Sequence, residues 1–314
     1  MTLYEQFCNG SVIALSRLIS HIEDLGEGYQ ALLARLYRRS KGIYRIGLTG
    51  PPGAGKSSLV NRLAGLLLDR KYKVAIICVD PSSPFTGGAL LGDRLRMQDI
   101  PLDKGVYIRS MGSRGSGGGL AAATSNVAVA LDAFGFDTLI IETIGVGQME
   151  LDIVDACDTV VVTLVPESGD AIQALKAGLM EIADIIAVNK ADRPGAEQMV
   201  YDLNSALEMR TQKSEWAIPV LTTQAVNNKN VAALMEKVES HRAYLSDSGR
   251  LADLRRQQVQ RKIETLLTQM IRRDMRTSFI TDDLLQEIVG RIIKGEDDPY
   301  SASMALYERF KIVS

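Results

Sequence analysis

Between Tyr44 and Ser246, short apolar and β-branched runs alternate with longer stretches in which apolar residues recur every three or four positions. The short runs are Tyr44–Thr49, Lys73–Asp80, Val106–Arg109, Asp137–Glu142, Thr159–Pro166, Asp184–Asn189 and Ile218–Thr222. Strand-sized apolar runs separated by helix-length segments predict βαβ units, and so a mostly parallel sheet buried on both faces. Helical spacing also runs through Leu3–Asp24, where Val12, Leu15, Leu18, Ile19 and Ile22 share a face, and through Gly28–Arg39. A third stripe in Leu251–Arg276 comprises Leu254, Val259, Ile263, Leu266, Leu267 and Met270. Thr281 ahead of two aspartates, and Asp298 ahead of Pro299, mark the starts of two further helices. The predicted organisation is a helical extension over 1–42, an α/β domain over 43–248 and a helical arm over 249–314. The arm's apolar stripe needs a partner, either its own core or a second subunit.

Composition narrows the function classes. Basic and acidic residues nearly balance, for a formal charge of -2, and aromatics are 5% of the 314 residues, so neither a nucleic-acid face nor a base-stacking platform is expected. The basic excess around the third stripe reads as a solvated face. No apolar run approaches the roughly 18 to 20 residues of a membrane span. The first thirty residues lack the basic, acid-poor character of a targeting segment, which makes a cytoplasmic protein the expectation. The 3 cysteines, Cys8, Cys78 and Cys157, are too far apart for a metal or redox pair, and the 2 histidines leave little for imidazole ligation. Cys78, Cys157 and Trp216 are expected to pack in the core.

The chemistry sits at strand ends. Gly50-Pro-Pro-Gly-Ala-Gly-Lys56-Ser57 fits the P-loop pattern between an apolar strand and a helix. Its glycines permit positive φ and bring backbone N–H groups to phosphate oxygens, with the helix N-terminus adding a favourable dipole. On this reading Gly50, Pro51, Pro52, Gly53, Ala54, Gly55, Lys56, Ser57 and Ser58 form the phosphate site. Lys56 reaches the β- and γ-phosphates, and Ser57 gives a hydroxyl oxygen to Mg²⁺. Phosphoryl transfer also needs carboxylates. Asp80 and Glu142 each end a predicted strand, where ligands sit in parallel sheets, and Asp93 lies on a connecting segment. About 130 residues after the P-loop, Asn189-Lys190-Ala191-Asp192 follows a strand and matches the Asn-Lys-x-Asp element of G proteins. Asp192 is suited to accept from guanine N1–H and the exocyclic amine, which selects GTP over ATP.

These elements, with Val79-Asp80-Pro81-Ser82-Ser83, Thr86-Gly87-Gly88, Leu91-Gly92-Asp93-Arg94, Glu142-Thr143-Ile144-Gly145-Val146-Gly147-Gln148 and Gly178–Asp184, resemble the methylmalonyl-CoA mutase-associated GTPases, the MeaB/ArgK-type G proteins. The resemblance covers about Leu48 through Ala225. It implies a P-loop NTPase fold and a Mg²⁺–GTP cluster of Lys56, Asp80, Asp93 and Glu142, with Arg96 moving toward the γ-phosphate. It implies switch elements at Gly145, Gln148, Asp170 and Lys176, and a guanine-supporting loop at Gln224 and Ala225. It further implies a homodimer, and a low-activity GTPase that binds an adenosylcobalamin-dependent acyl-CoA mutase, gates cofactor loading and protects or reactivates the enzyme. Methylmalonyl-CoA and isobutyryl-CoA mutase are the two partners it suggests. Val146 stands where Ras-like proteins place a water-orienting Gln, which fits slow intrinsic hydrolysis. Two alternatives stay open: a P-loop kinase acting on an amino-acid-binding protein or small molecule, and a nickel-insertion GTPase. The second is the weaker, since so few Cys and His leave no soft metal site within one subunit.

Overall fold

The computed structural model describes residues 1–81, 105–113, 119–143, 153–166, 178–209, 215–275 and 281–313. All seven predicted strands form: β1 (Tyr44–Thr49), β2 (Val74–Pro81), β3 (Val106–Ser113), β4 (Thr138–Thr143), β5 (Thr159–Leu164), β6 (Ile185–Val188) and β7 (Val220–Thr222). They make one sheet in the order β3-β2-β4-β1-β5-β6-β7, and every pairing is parallel. Strand β3 runs four residues beyond its predicted end, because β2 continues to pair with it through Asp80↔Gly112 and Pro81↔Ser113.

Side chains alternate between two apolar layers, as a sheet covered on both faces requires. Ile46, Leu48, Ile76, Cys78, Ile140, Val161 and Ala187 face α4 (Lys56–Asp69), and with them packs a later helix, Val231–Asp247. Ile77, Val79, Leu139, Ile141, Val162 and Ile186 face the other way, against α5 (Gly119–Phe134). On that side Gly47 lets the Ile153–Asp155 turn lie on the sheet, since a Cβ there would sit 2.7 Å from Cys157 Sγ and Ile153 Cδ1.

The predicted helix over Leu3–Asp24 is two helices, α1 (Leu3–Cys8) and α2 (Val12–Glu23). Gly10 breaks it at φ 83°, and Ser11 then starts α2 by accepting from the Ala14 N–H at 3.3 Å. With α3 (Tyr29–Arg39) they join the α5 layer through Phe7, Leu15, Ile19, Ile22 and Leu36, each 1% exposed or less. The chain continues through α6 (Leu179–Ile182), α7 (Ala196–Glu208), α8 (the Val231–Asp247 helix), α9 (Arg250–Asp274), α10 (Asp282–Ile293) and α11 (Pro299–Val313). Thr281 and Asp298 cap the last two, as their positions predict. Residues fall into two compact units, Met1–Arg255 and Arg256–Ser314. Among the described residues no helix is long and apolar enough to cross a membrane.

Ionisable groups gather at the N-terminal ends of the strands. Asp158 is fully buried between Arg45, at 3.0 Å, and Arg255, at 2.8 Å, and also accepts from the Arg45 N–H. Burial works against its charge, but the two guanidiniums prevail and hold its carboxyl below the usual range. Nearby, burial pushes the Asp184 carboxyl up to about 7, while the Val160 N–H donates to it. Burial also pushes the His241 imidazole down to about 4; its Nδ1 lies 2.8 Å from Thr159 Oγ1 and its Nε2 3.5 Å from Asp184 Oδ1. Trp216 packs here, its indole N–H donating to the Asp184 carbonyl and its ring 4.7 Å from His241. Cys78 and Cys157 are buried, as expected of them.

The two shifts predict opposed pH dependences. Asp184, with a raised folded pKa, contributes stability at low pH that is lost as pH rises from about 4 through about 7. His241, kept neutral by the fold, costs stability as pH falls from about 6.5 toward about 4. Removing the first with Asp184→Asn is expected to leave a urea midpoint that climbs clearly between about pH 4 and about 6.5. A midpoint flat across that window in the variant would contradict this assignment.

Candidate functional site

All strands being parallel, their carboxyl ends share one edge, and the order reverses at β1, whose neighbours are β4 and β5. Such a switch point opens a crevice for ligands. The loop leaving β1 there carries the glycine-rich motif. Gly50 adopts φ 135°, and a Cβ on it would lie 2.0 Å from the Thr163 carbonyl of β5, so only glycine passes. Pro52 and Gly53 are exposed at the tip, Ala54 is buried, and Gly55 enters α4 at φ 85° with no side chain capping the helix. Lys56 is 6% exposed, and its ammonium donates to the carbonyls of Gly50 at 2.7 Å and Pro51 at 3.0 Å. It therefore holds the loop closed on itself from the inside.

Ser57 follows on the first turn of α4, half-buried, as is Ser58. Its hydroxyl donates to Glu142 Oε1 at 2.6 Å, and Glu142, 8% exposed, stands at the end of β4. Residues 85 positions apart are thus joined as a hard-oxygen pair beside the loop. Asp80 lies at the end of β2, two residues beyond the Cys78↔Glu142 pairing; its side chain lies outside the described residues. Asp93, Arg96, Gly145, Gln148, Asp170 and Lys176 also lie outside them.

The Asn-Lys-x-Asp segment leaves β6 at the same edge. Asn189, 2% exposed, donates to the Ala54 carbonyl at 2.9 Å, while its Oδ1 accepts from the Ala225 N–H at 3.1 Å and the Thr223 hydroxyl at 3.2 Å. One amide therefore ties the phosphate loop to the loop after β7. Lys190 takes a left-handed φ of 55°, which turns the chain so that Asp192 is exposed. Gln224 pairs with Lys229 through reciprocal backbone hydrogen bonds of 3.1 Å, which closes a small turn over residues 224–229. The Ala225 N–H, in the loop that the resemblance implies supports guanine, is here committed to Asn189.

Sequence reasoning missed Arg62, two turns into α4. It donates to the carbonyls of Ala225 at 3.1 Å and Val226 at 3.0 Å, anchoring the same turn from below. Its spacing gave no signal, since a residue at i+6 lies about 120° around the helix from Lys56.

A sheet of this order, a glycine-rich loop feeding α4, and an Asn-Lys-x-Asp segment tied to that loop define a P-loop GTPase. Residues 15–279 match the family model described as "Methylmalonyl Co-A mutase-associated GTPase MeaB", and the chain belongs to that family. It is 44% identical over 304 residues to a protein of Pyrococcus abyssi named as a GTPase, covering 96% of this chain and 94% of that one. It is 34% identical to "GTPase ArgK" of Escherichia coli over 79% of this chain and 78% of the relative. Among solved structures it resembles one titled "Crystal structure of LAO/AO transport system kinase", with a TM-score of 0.73, 25% identity and coverage of 98% and 96% of the two chains.

Proposed function

We propose that this chain is a slow, Mg²⁺-dependent GTPase that serves as chaperone to an adenosylcobalamin-dependent acyl-CoA mutase, gating cofactor loading and protecting or reactivating the enzyme in the cytoplasm. The observation that carries the reading is the joined nucleotide edge, with Ser57 on Glu142 and Asn189 on Ala54, in a chain of a family described by its association with methylmalonyl-CoA mutase. A mouse relative, 31% identical over 85% of this chain, bears the name "Methylmalonic aciduria type A homolog, mitochondrial", which supports the same direction.

In this proposal Lys56 pairs with the β- and γ-phosphates and Asp192 reads guanine, with Lys190, Gln224 and Ala225 shaping the base pocket. Ser57 and Glu142 are hard oxygen donors that suit Mg²⁺, and Asp80 and Asp93 complete its set. The ion supplies neutralisation of phosphate charge. Arg96, Gly145, Gln148, Asp170 and Lys176 respond to the γ-phosphate and pass nucleotide state to the partner. Val259, Ile263 and Leu267 on α9 are each more than half exposed in the single chain, which supports a homodimer through the arm.

The test is a pull-down from cobalamin-grown cells with the chain held by GDP or by a non-hydrolysable GTP analogue. A methylmalonyl- or isobutyryl-CoA mutase should be recovered, in amounts that differ between the two states; recovery in neither sinks the chaperone reading. The description of the solved relative as a transport system kinase favours a second reading, a kinase. That reading requires labelled γ-phosphate on an added amino-acid-binding protein faster than its release to water.

Base reading has its own check. Asp192→Asn is expected to weaken GTP at least about tenfold and to strengthen xanthosine triphosphate, since the donor–acceptor pattern facing the purine is exchanged. Unchanged affinities for both nucleotides would place the base elsewhere.

A further inference from the structure

An open cavity of about 560 Å³ lies among the three N-terminal helices, and none of its lining residues belongs to the nucleotide loops. Most of its lining is apolar, with Leu3, Leu18, Ala31 and Leu32 supplying the aliphatic part. The wall is built rather than incidental. His21 is held by a 3.0 Å hydrogen bond between its Nε2 and the Glu27 carbonyl. Gly26 makes room for the ring, since a Cβ there would come within 2.3 Å of it.

Two guanidiniums line this apolar space. Arg35 lies over the Tyr4 ring, 3.6 Å from its centroid, a contact that places the cation without neutralising it. Arg17 has no hydrogen-bond or ion-pair partner among the described residues. Glu27 is the one carboxylate on the lining and pairs with neither arginine among the described residues. Lining of this kind, mostly apolar with a few polar groups and a volume in the range of about 300–1,000 Å³, is that of a small-molecule site. Guanidinium forks match carboxylates in two-point geometry.

We propose that the cavity between α1, α2 and α3 binds a small amphipathic carboxylic acid, its apolar body against Leu3, Leu18 and Leu32 and its carboxylate on Arg17 and Arg35. The site is separate from the GTP edge, so its occupancy is measurable without nucleotide.

Calorimetry on the full chain tests this with octanoate as probe, and with 1-octanol and inorganic phosphate as the apolar and charged halves alone. Octanoate is expected to bind with one-to-one stoichiometry, at least about tenfold more tightly than either half. Arg17→Glu should weaken it at least about tenfold, and so should Ala31→Trp, which fills the space and keeps both cations. Ala31 and Arg17 are exposed, so circular dichroism should report native folding and GTP hydrolysis should stay at the wild-type rate in both variants. Absence of octanoate binding, octanol or phosphate binding as tightly, or octanoate affinity unchanged by both substitutions would each overturn the proposal.

Discussion

Lys56→Ala is expected to lower single-turnover GTP hydrolysis by at least about a hundredfold, a loss of about 3 kcal/mol in transition-state stabilisation. Two effects combine. The substitution removes a cation that would face the transferring phosphoryl group, and it releases the Gly50 and Pro51 carbonyls that the ammonium now ties together. The loop would then have to be ordered by the nucleotide itself, so GTP affinity should fall alongside the rate. Lys56→Arg separates the contributions: it keeps the charge, but its planar fork does not fit a site that holds a compact ammonium at 2.7 and 3.0 Å from two carbonyls. Phosphate release within threefold of wild type in the alanine variant, with circular dichroism unchanged, would show that Lys56 is structural only.

The second large effect belongs to the opposite end of the sheet. Asp158→Asn should destabilise the Met1–Arg255 unit by about 3–5 kcal/mol, read as a shift of its urea midpoint. The carboxylate is fully buried with a guanidinium on either side, and an amide removes the negative charge that both face. Arg255 also donates to the Gly42 and Ile43 carbonyls at 3.1 and 2.9 Å, so the first turns of α9 are fastened to the start of β1 through the same group. Because the Asp158 carboxyl is held below the usual range, its contribution is present above about pH 4 and is lost as pH falls through the folded value. Acid unfolding of the wild type should therefore have a component below about pH 4 that the Asn variant lacks. A midpoint shift worth less than about 1 kcal/mol would mean that Arg45 and Arg255 find other partners.

Much of this was legible in sequence because it depends on short-range pattern. The strands carry continuous apolar runs, and Thr281 and Asp298 announce their caps. The break at Gly10 was hidden because Val12 through Ile22 keep helical period with the segment before it, so only a glycine marks the turn. The extension of β3 to Ser113 was hidden for another reason: Gly112 and Ser113 have no strand preference, and backbone pairing with β2 holds them. At the site, Ser57, Glu142 and Asn189 were identifiable by motif and strand position. The contacts they make were not, because they join residues far apart in the chain. Arg62 belongs to no motif, and an arginine on a helix reads as solvent-facing until the turn it anchors is known. The Asp184–His241 contact likewise depends on α8 crossing the sheet near β5 and β6, which no local pattern reports.

In the proposed GTP site, the Asn189 amide makes phosphate and base recognition two readings of one equilibrium. Its nitrogen serves the glycine-rich loop through Ala54, and its oxygen serves the turn after β7 to which the proposal assigns the base. A defect on either side is therefore felt on the other, and the energies of paired substitutions across Asn189 will fail to add. Mispaired bases should then be rejected with more than the strength of their own lost hydrogen bonds, because accepting one loosens the grip on the phosphates too.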